Sequence, residues 1–309
     1  MKVKKFDLII IGMGSTAVAA SRRAREEGKT VAFIEENLIG GTCLNYGCVP
    51  SKFLIEAANV FHHMKAPPFR GLSCSKPRLD FSALLEQKDR IILNYRAQKL
   101  DTVINEDDDT YFYRGKASFI NQNRVSVEDD VLEADRFIIA TGSRPYLPQI
   151  DNLEECGFLT SDLLSTSDDD ELKRVPESMI IIGGGYIALE MGQMFNRFGC
   201  SVTILEQSNQ ILADGYEPEL GEEIEKLLAA EGVNIKCNTT VKSLERYHDY
   251  KLVDQNGNEY KSEKLLVAAG REANVEGLGI ENCGIKLNKK GFIKVDQFLR
   301  TNVEHIFAA

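Results

Sequence analysis

Three features predict an α/β chain of two Rossmann-like domains. A strand–glycine turn–helix–strand unit occurs twice, the same glycine fingerprint marks both turns, and a strand-rich excursion follows each copy. Each domain is expected as a three-layer ββα arrangement with a parallel sheet and a β-meander. The length of 309 residues is ordinary for two domains. With 43% hydrophobic and 27% charged residues, the chain can fill two cores and is not disordered.

The first copy is FDLIIIGMGSTAVAASRRAREEGKTVAFIEE. Phe6 to Ile11 has the pattern of a buried strand, apolar apart from Asp7. A glycine turn and an alanine- and arginine-rich helix follow, and Gly28 ends that helix. A second strand, Thr30 to Ile34, leads to Glu35. The second copy is SMIIIGGGYIALEMGQMFNRFGCSVTILEQ, with a strand from Met179 to Ile182, a helix ending near Gly199 and a strand leading to Glu206. Gly12 to Glu35 and Gly183 to Glu206 both span 23 residues, and Gly12 to Gly28 and Gly183 to Gly199 both span 16.

Both turns read G-x-G-x-x-A: Gly12, Gly14 and Ala17, then Gly183, Gly185 and Ala188. The first glycine permits the tight turn, and the second lets the backbone approach a pyrophosphate. The alanine lets the helix lie close to its strand, so that the helix N-terminus faces the phosphates. Glu35 and Glu206 then sit where an acid accepts hydrogen bonds from a ribose. A single such turn could be an ordinary βαβ connection. Two, each with strand, helix and acid in place, point to two dinucleotide sites.

After each unit the chain turns strand-like. TYFYRGKASFINQNRVSV turns at Asn121–Asn123, and YKLVDQNGNEYKSEKLL carries the hairpin signal Asn256-Gly257. Each excursion closes on a short apolar strand ending in Ala-x-Gly plus an arginine, ADRFIIATGSRP and SEKLLVAAGREAN. The expected domains are 1–150, completed by the returning residues 276–309, and 151–275. The boundary falls in the polar segment from Pro148 to Pro176. The acidic runs Asp168–Glu171 and Asp107–Asp109 read as solvated faces.

The net charge of −10, without a basic cluster, argues against a nucleic-acid partner. No stretch of about 18 apolar residues is present to span a membrane. The apolar run Leu8–Ile11 is too short for a secretory leader, so a cytoplasmic location is expected. Five of the seven cysteines, at 74, 156, 200, 237 and 283, are scattered singly, as for thiols in a reducing compartment. Cys43 and Cys48 instead share one motif, GGTCLNYGCVPSK. As residues they could be a metal site, a structural staple or a redox pair. No second cysteine pair or histidine spacing supplies the four ligands of zinc, and His62 and His63, adjacent on a helix, point to different sides. The start of the following helix favours a thiolate.

With GGTC-x4-C-VPSK after the first unit, ATGSRP closing the first domain and GGGYIALE opening the second, the whole chain resembles the class I pyridine nucleotide–disulfide oxidoreductases. Dihydrolipoamide dehydrogenase, glutathione reductase and mercuric reductase are members. The resemblance implies FAD in the first domain and NAD(P)H in the second, with Cys43 and Cys48 as a redox-active disulfide. Cys48 matches the thiol beside the flavin and Cys43 the one that exchanges with substrate, and Cys43 is expected nearer to solvent. Lys52 matches a lysine near the flavin, and Glu190 the glutamate that pairs with it. Besides Gly12, Gly14 and Ala17, the positions Glu35, Gly41, Thr42, Lys52, Ala117, Thr141 and Gly142 match FAD contacts. Gly183, Gly185, Ala188, Glu206, Val241 and Gly270 match the NAD side. Glu206 repels a 2′-phosphate and Gln207 to Gln210 include no arginine, so NADH is favoured over NADPH.

NYGCVPSKFLIEAANVFHHMKAPPFRGL looks most like the mercuric reductases, while Glu206 suits dihydrolipoamide dehydrogenase. The substrate implied is a small-molecule disulfide or a metal ion, and an NADH diaphorase is the other reading. The resemblance also implies a continuation past Ala309, beginning Gly-Asp, and a C-terminal dimerisation domain absent here, through which the full-length protein forms a homodimer. His305 is not a substitute for the histidine that such a domain carries.

Overall fold

A computed structural model describes residues 3–100, 109–166 and 172–309. The acidic run Asp168–Glu171 and residues Asp107 and Asp108 lie outside them. In chain order, β1 (Lys4–Ile11), α1 (Ser15–Glu26), β2 (Val31–Glu35), α2 (Gly41–Asn45), α3 (Cys48–Lys65) and α4 (Phe81–Leu100) come first. They are followed by β3 (Thr110–Arg114), β4 (Ala117–Asn121), β5 (Arg124–Val127), β6 (Asp130–Ile139), β7 (Ser143–Pro145) and α5 (Leu153–Cys156). Next come β8 (Ser178–Ile182), α6 (Tyr186–Phe198), β9 (Ser201–Leu205), α7 (Pro218–Ala230) and β10 (Asn234–Lys236). The chain closes with β11 (Val241–Arg246), β12 (Tyr250–Asp254), β13 (Glu259–Ser262), β14 (Lys264–Val267), β15 (Arg271–Ala273) and β16 (Ile306–Ala308).

Two compact units result. The first contains Met1–Asn45, Ile91–Arg144 and Arg271–Ala309, and the second Tyr46–Arg90 and Pro145–Gly270. This partition gives the segment after Asn45 to the second unit, and the division passes through α4.

In the first unit β1 lies between β2 and β6, parallel to both, and β3 extends the sheet beyond β2. The ten-residue β6 is shared: its first half pairs antiparallel with β5, and its second half parallel with β16. The meander β4–β5–β6 is therefore continuous with the parallel sheet. The strands are apolar on both faces because both are covered. Leu8, Ile10, Val31 and Phe33 pack on the side of α1, while Ile9, Ile11, Ala32 and Ile34 join the core that Phe119, Phe137, Leu278 and Ile306 complete.

The second unit has the parallel order β10–β9–β8–β14 and a separate antiparallel meander, β11–β12–β13. Its three layers follow from the two-residue alternation of the strands. Met179, Ile181, Ile204 and Leu266 face the helix layer with Met191 and Phe195. Ile180, Ile182, Leu265 and Val267 face the meander with Leu244 and Leu252. The hairpin between β12 and β13 is set by Asp254, whose Oδ1 accepts the N–H groups of Asn256 at 2.8 Å and Asn258 at 2.9 Å, and by Gly257 at φ +82°.

The segment read as a polar linker is partly packed. Leu153, Leu159 and Leu164 are buried, and Leu159 bridges to β14, donating to Leu265 O and accepting from Val267 N, both at 2.8 Å. These leucines follow neither the helix nor the strand period, so periodicity does not reveal them.

Candidate active site

The two glycine turns have the same geometry. Gly12 N–H donates to Ile34 O at 2.7 Å and Gly183 N–H to Leu205 O at 2.9 Å. Ala140 N–H donates to Ile11 O and Ala268 N–H to Ile182 O, both at 2.8 Å. The returning strand thus crosses directly behind each turn. A Cβ at Gly12 would sit 2.3 Å from Ala140 O, and one at Gly183 2.4 Å from Ala268 O, with φ +103° and +113°. Only glycine fits both the space and the dihedral.

Gly14 and Gly185 are the N-caps of α1 and α6, and neither helix has a side-chain cap. The first-turn N–H groups therefore have no side-chain acceptor at their open end. Ala17 and Ala188 are fully buried against the strands. At the second-strand ends both acids are held by backbone donors. Glu35 accepts from Met13 N and Asn37 N, both at 2.8 Å. Glu206 accepts from Ser208 N at 2.6 Å and lies against Gly184, where a Cβ would come within 2.8 Å of it.

The cysteine segment begins at the floor of the first turn: a Cβ at Gly41 would be 2.6 Å from Gly14 Cα. Thr42 and Cys43 belong to α2, whose Leu44 and Asn45 are buried. Cys48 opens α3, with Pro50 in the first turn, where its missing N–H costs no helical bond. Cys48 is exposed and Cys43 half-buried, the reverse of the expected order, because the anchoring of Leu44 and Asn45 draws α2 inward.

One turn further along α3, Lys52 Nζ lies 2.5 Å from Glu190 Oε1 on α6. Seven residues on in both helices, Arg197 donates to Asn59, so α3 and α6 run parallel. Arg197 also forms a two-point ion pair with Glu231, Nη2–Oε1 at 2.6 Å and Nε–Oε2 at 2.7 Å. That arginine, above all by hydrogen bonding, holds the Glu231 carboxyl below the usual carboxylate range. Elsewhere burial pushes the Cys200 thiol up to about 12 and that of Cys283 to about 11, so both stay protonated near neutral pH.

The profile of the pyridine nucleotide-disulphide oxidoreductases matches residues 6–309. The chain belongs to that family. Over 308 residues it is 38% identical to a mercuric reductase of Lysinibacillus sphaericus, aligning 98% of this chain with 55% of that protein. A Staphylococcus aureus mercuric reductase is 36% identical over 311 residues, again 98% of this chain and 55% of the relative. Among solved structures, the Cu(II) complex of the HOCl-induced flavoprotein disulfide reductase RclA from Escherichia coli superposes with a TM-score of 0.86 at 27% identity, covering 99% of this chain and 66% of that one. The chain spans about half the length of the curated relatives it matches.

Family membership implies FAD and a pyridine nucleotide, and the residues fit both. Each turn offers a side-chain-free approach to uncapped helix N–H groups, and each has an acid at the neighbouring strand end. Near the first, Gly115 N–H donates to Glu35 O at 3.1 Å, which brings the start of β4 at Ala117 beside that acid. Thr141 and Gly142 follow β6, tied to Asn274 by Thr141 Oγ1 donating to Asn274 O at 2.7 Å and Asn274 Nδ2 donating to Thr141 O at 2.9 Å. Gly270, at φ +127°, follows β14 in the second unit. The side chains of Val241 and Ala117 are buried in their cores, and both residues pair with a neighbouring antiparallel strand, Val241 opposite Asp254 and Ala117 opposite Val127.

Among the described residues no group of three or more His, Cys, Asp or Glu could hold a metal ion, and no helix is long and apolar enough to cross a membrane. His305 Nε2 lies 2.8 Å from Gln122 O, next to β16.

No motif or period in the sequence marks the buried Asn45 and its partner Arg96, or the Asn59–Arg197–Glu231 bridge. The arginines of the two closing strands have no role legible in the sequence alone. Arg144 pairs with Glu272 at 2.9 Å and with Glu276 at 2.5 Å, while Arg271 donates to Ser143 Oγ at 2.8 Å. The two arginines thus fasten the ribbon of β7 and β15 from both sides.

Proposed function

We propose that this chain carries the electron path of an FAD-dependent, NADH-linked oxidoreductase, from the nicotinamide through the flavin to a Cys43–Cys48 disulfide and on to a metal ion. Mercuric ion is the substrate class favoured by the mercuric reductase relatives. The observation that carries this reading is the contact of Gly41 with Gly14, because it starts the cysteine segment at the phosphate end of the first dinucleotide turn. FAD, when bound, would accept a hydride from the reduced nicotinamide and release an electron pair.

The chain's residues would do the rest. The backbone at Gly12 and Gly14 and the N-terminus of α1 balance the pyrophosphate charge. Glu35 and Glu206 accept ribose hydroxyls, and Glu206 disfavours NADPH. Lys52, paired to Glu190, places a fixed positive charge one turn beyond Cys48. Two electrons and one proton would open the Cys43–Cys48 bond to a Cys43 thiol and a Cys48 thiolate, whose charge the helix start favours. That pair would pass the two electrons to Hg(II), giving the metal, releasing the proton and regenerating the disulfide. We also propose that the full-length protein is a cytoplasmic homodimer.

A second reading, reduction of a small-molecule disulfide as in dihydrolipoamide dehydrogenase, is favoured by Glu206 and by the disulfide reductase likeness. Anaerobic reductive titration of the FAD-loaded chain separates these paths from a diaphorase. We expect one electron pair more per flavin than in Cys43→Ser. A broad long-wavelength band should persist in Cys43→Ser and vanish in Cys48→Ser. Equal electron uptake by the parent chain and Cys43→Ser would remove the disulfide from the path, and a band retained in Cys48→Ser would reverse the two roles.

A further inference from the structure

We infer that Asn45, held by Arg96, is a positioning residue that fixes the conformation in which Cys43 is presented. This rests on the redox reading of Cys43 and Cys48. Asn45 lies between the two cysteines and is 0% exposed. Its amide nitrogen donates to Gly41 O at 2.9 Å, to Ile39 O at 3.1 Å and, more weakly, to Leu38 O at 3.4 Å. Its oxygen accepts from the Arg96 guanidinium, from Nη2 at 2.7 Å and Nε at 3.1 Å. Carbonyls on one side require a donor and a guanidinium on the other requires an acceptor, so the amide can sit only one way round. Aspartate lacks the donor, leucine lacks both groups, and glutamine is a methylene too long.

The loop needs such a clamp. Gly40 and Gly41, just before Cys43, have φ +104° and +64°, and two consecutive glycines give the backbone many alternatives. Asn45 gathers the carbonyls of Leu38 and Ile39 before that pair and of Gly41 at its end, and Arg96 ties the assembly to α4, 51 residues away. The clamp holds Cys43 in a conformation in which it and Cys48 are both thiols, so it favours the open dithiol. Loosening the clamp favours the closed disulfide.

The test is a thiol–disulfide titration of the purified 309-residue chain in dithiothreitol buffers. The reagent's dithiol gives two electrons and two protons, the Cys43–Cys48 bond opens to two thiols, and the reagent closes its own ring disulfide. Alkylation and mass spectrometry report the state of each cysteine. Arg96→Met and Asn45→Asp are expected to shift the couple about tenfold toward the disulfide, which is about 30 mV more negative for a two-electron couple. Cys43 should also alkylate faster, and Arg96→Lys, which keeps a donor, should recover part of the shift.

A merely structural role would lower the melting temperature and leave the couple where it was, and that result in both variants overturns the inference. If Asn45→Asp does not fold, Arg96→Met decides alone, since Arg96 is half-buried on a separate helix. If the parent chain forms no Cys43–Cys48 bond at any poise, the redox reading itself falls, and the inference with it.

Discussion

At Gly41 an added methyl carbon would lie 2.6 Å from Gly14 Cα, on a backbone at φ +64°. Neither backbone can retreat without opening the turn that faces the phosphates. Gly41→Ala is therefore expected to cost about 2–4 kcal/mol, combining dihedral strain with overpacking, and to weaken FAD binding. Urea melts and calorimetry check this, and a loss below roughly 0.5 kcal/mol, the scatter of neutral surface substitutions, would contradict the packing argument.

Glu206 supports a second residue-level prediction. In stopped flow, NADH should reduce the bound flavin faster than NADPH, and Glu206→Arg should narrow or invert the preference. Equal rates for both donors in the parent chain would discard the role given to this carboxylate. The glycines and acids were legible in the sequence because their reason is local: each serves its own turn. Asn45 was not, because its partner is 51 residues away and no period or motif links them.

Among the elements, the parallel pair α3 and α6 is joined by polar bridges seven residues apart, Lys52–Glu190 and Asn59–Arg197, and Glu231 after α7 braces the second. Arg197 and Glu231 are only 17% and 19% exposed, so removing the arginine leaves a largely buried carboxylate without its cation. The pH dependence has a definite sign. The folded-state pKa of Glu231 lies below its ordinary value of 4.5, so its stabilisation is present above about pH 4.5 and is lost as pH falls through the folded value. Arg197→Met should be less stable at neutral pH and should lose less of its stability on acidification. Parallel acid-unfolding curves for the two proteins would refute this. The bridge was illegible in the sequence because Asn59, Arg197 and Glu231 come from three separate segments that no motif or period links. The meanders were legible as strand-rich stretches, but not that the first continues a parallel sheet while the second forms its own.

On the scale of the molecule, the two units have separate cores, and each has one dinucleotide turn. Ligand stabilisation should therefore be local. In hydrogen exchange, FAD is expected to slow amides within 1–45, 91–144 and 271–309, and NAD+ those within 145–270. Protection by NAD+ confined to the first set would exchange the two site assignments. The repeat spacing made the pair of units readable from the sequence. The allotment of residues 46–90 was not, because it depends on the packing of α3 against α6, which no local pattern encodes.

The carbonyl behind each glycine turn, Ala140 O for Gly12 and Ala268 O for Gly183, has a genetic consequence. Any single-base change in the first two positions of a glycine codon installs a side chain or a stop. None of those side chains fits in front of an oxygen 2.3 or 2.4 Å from the Cβ. Both codons should therefore tolerate only synonymous third-base drift, and a population of functional variants should show two silent islands at matching places in the duplicated halves. An allele that has abandoned one nucleotide would be recognised by missense changes accumulating on one island while the other stays silent.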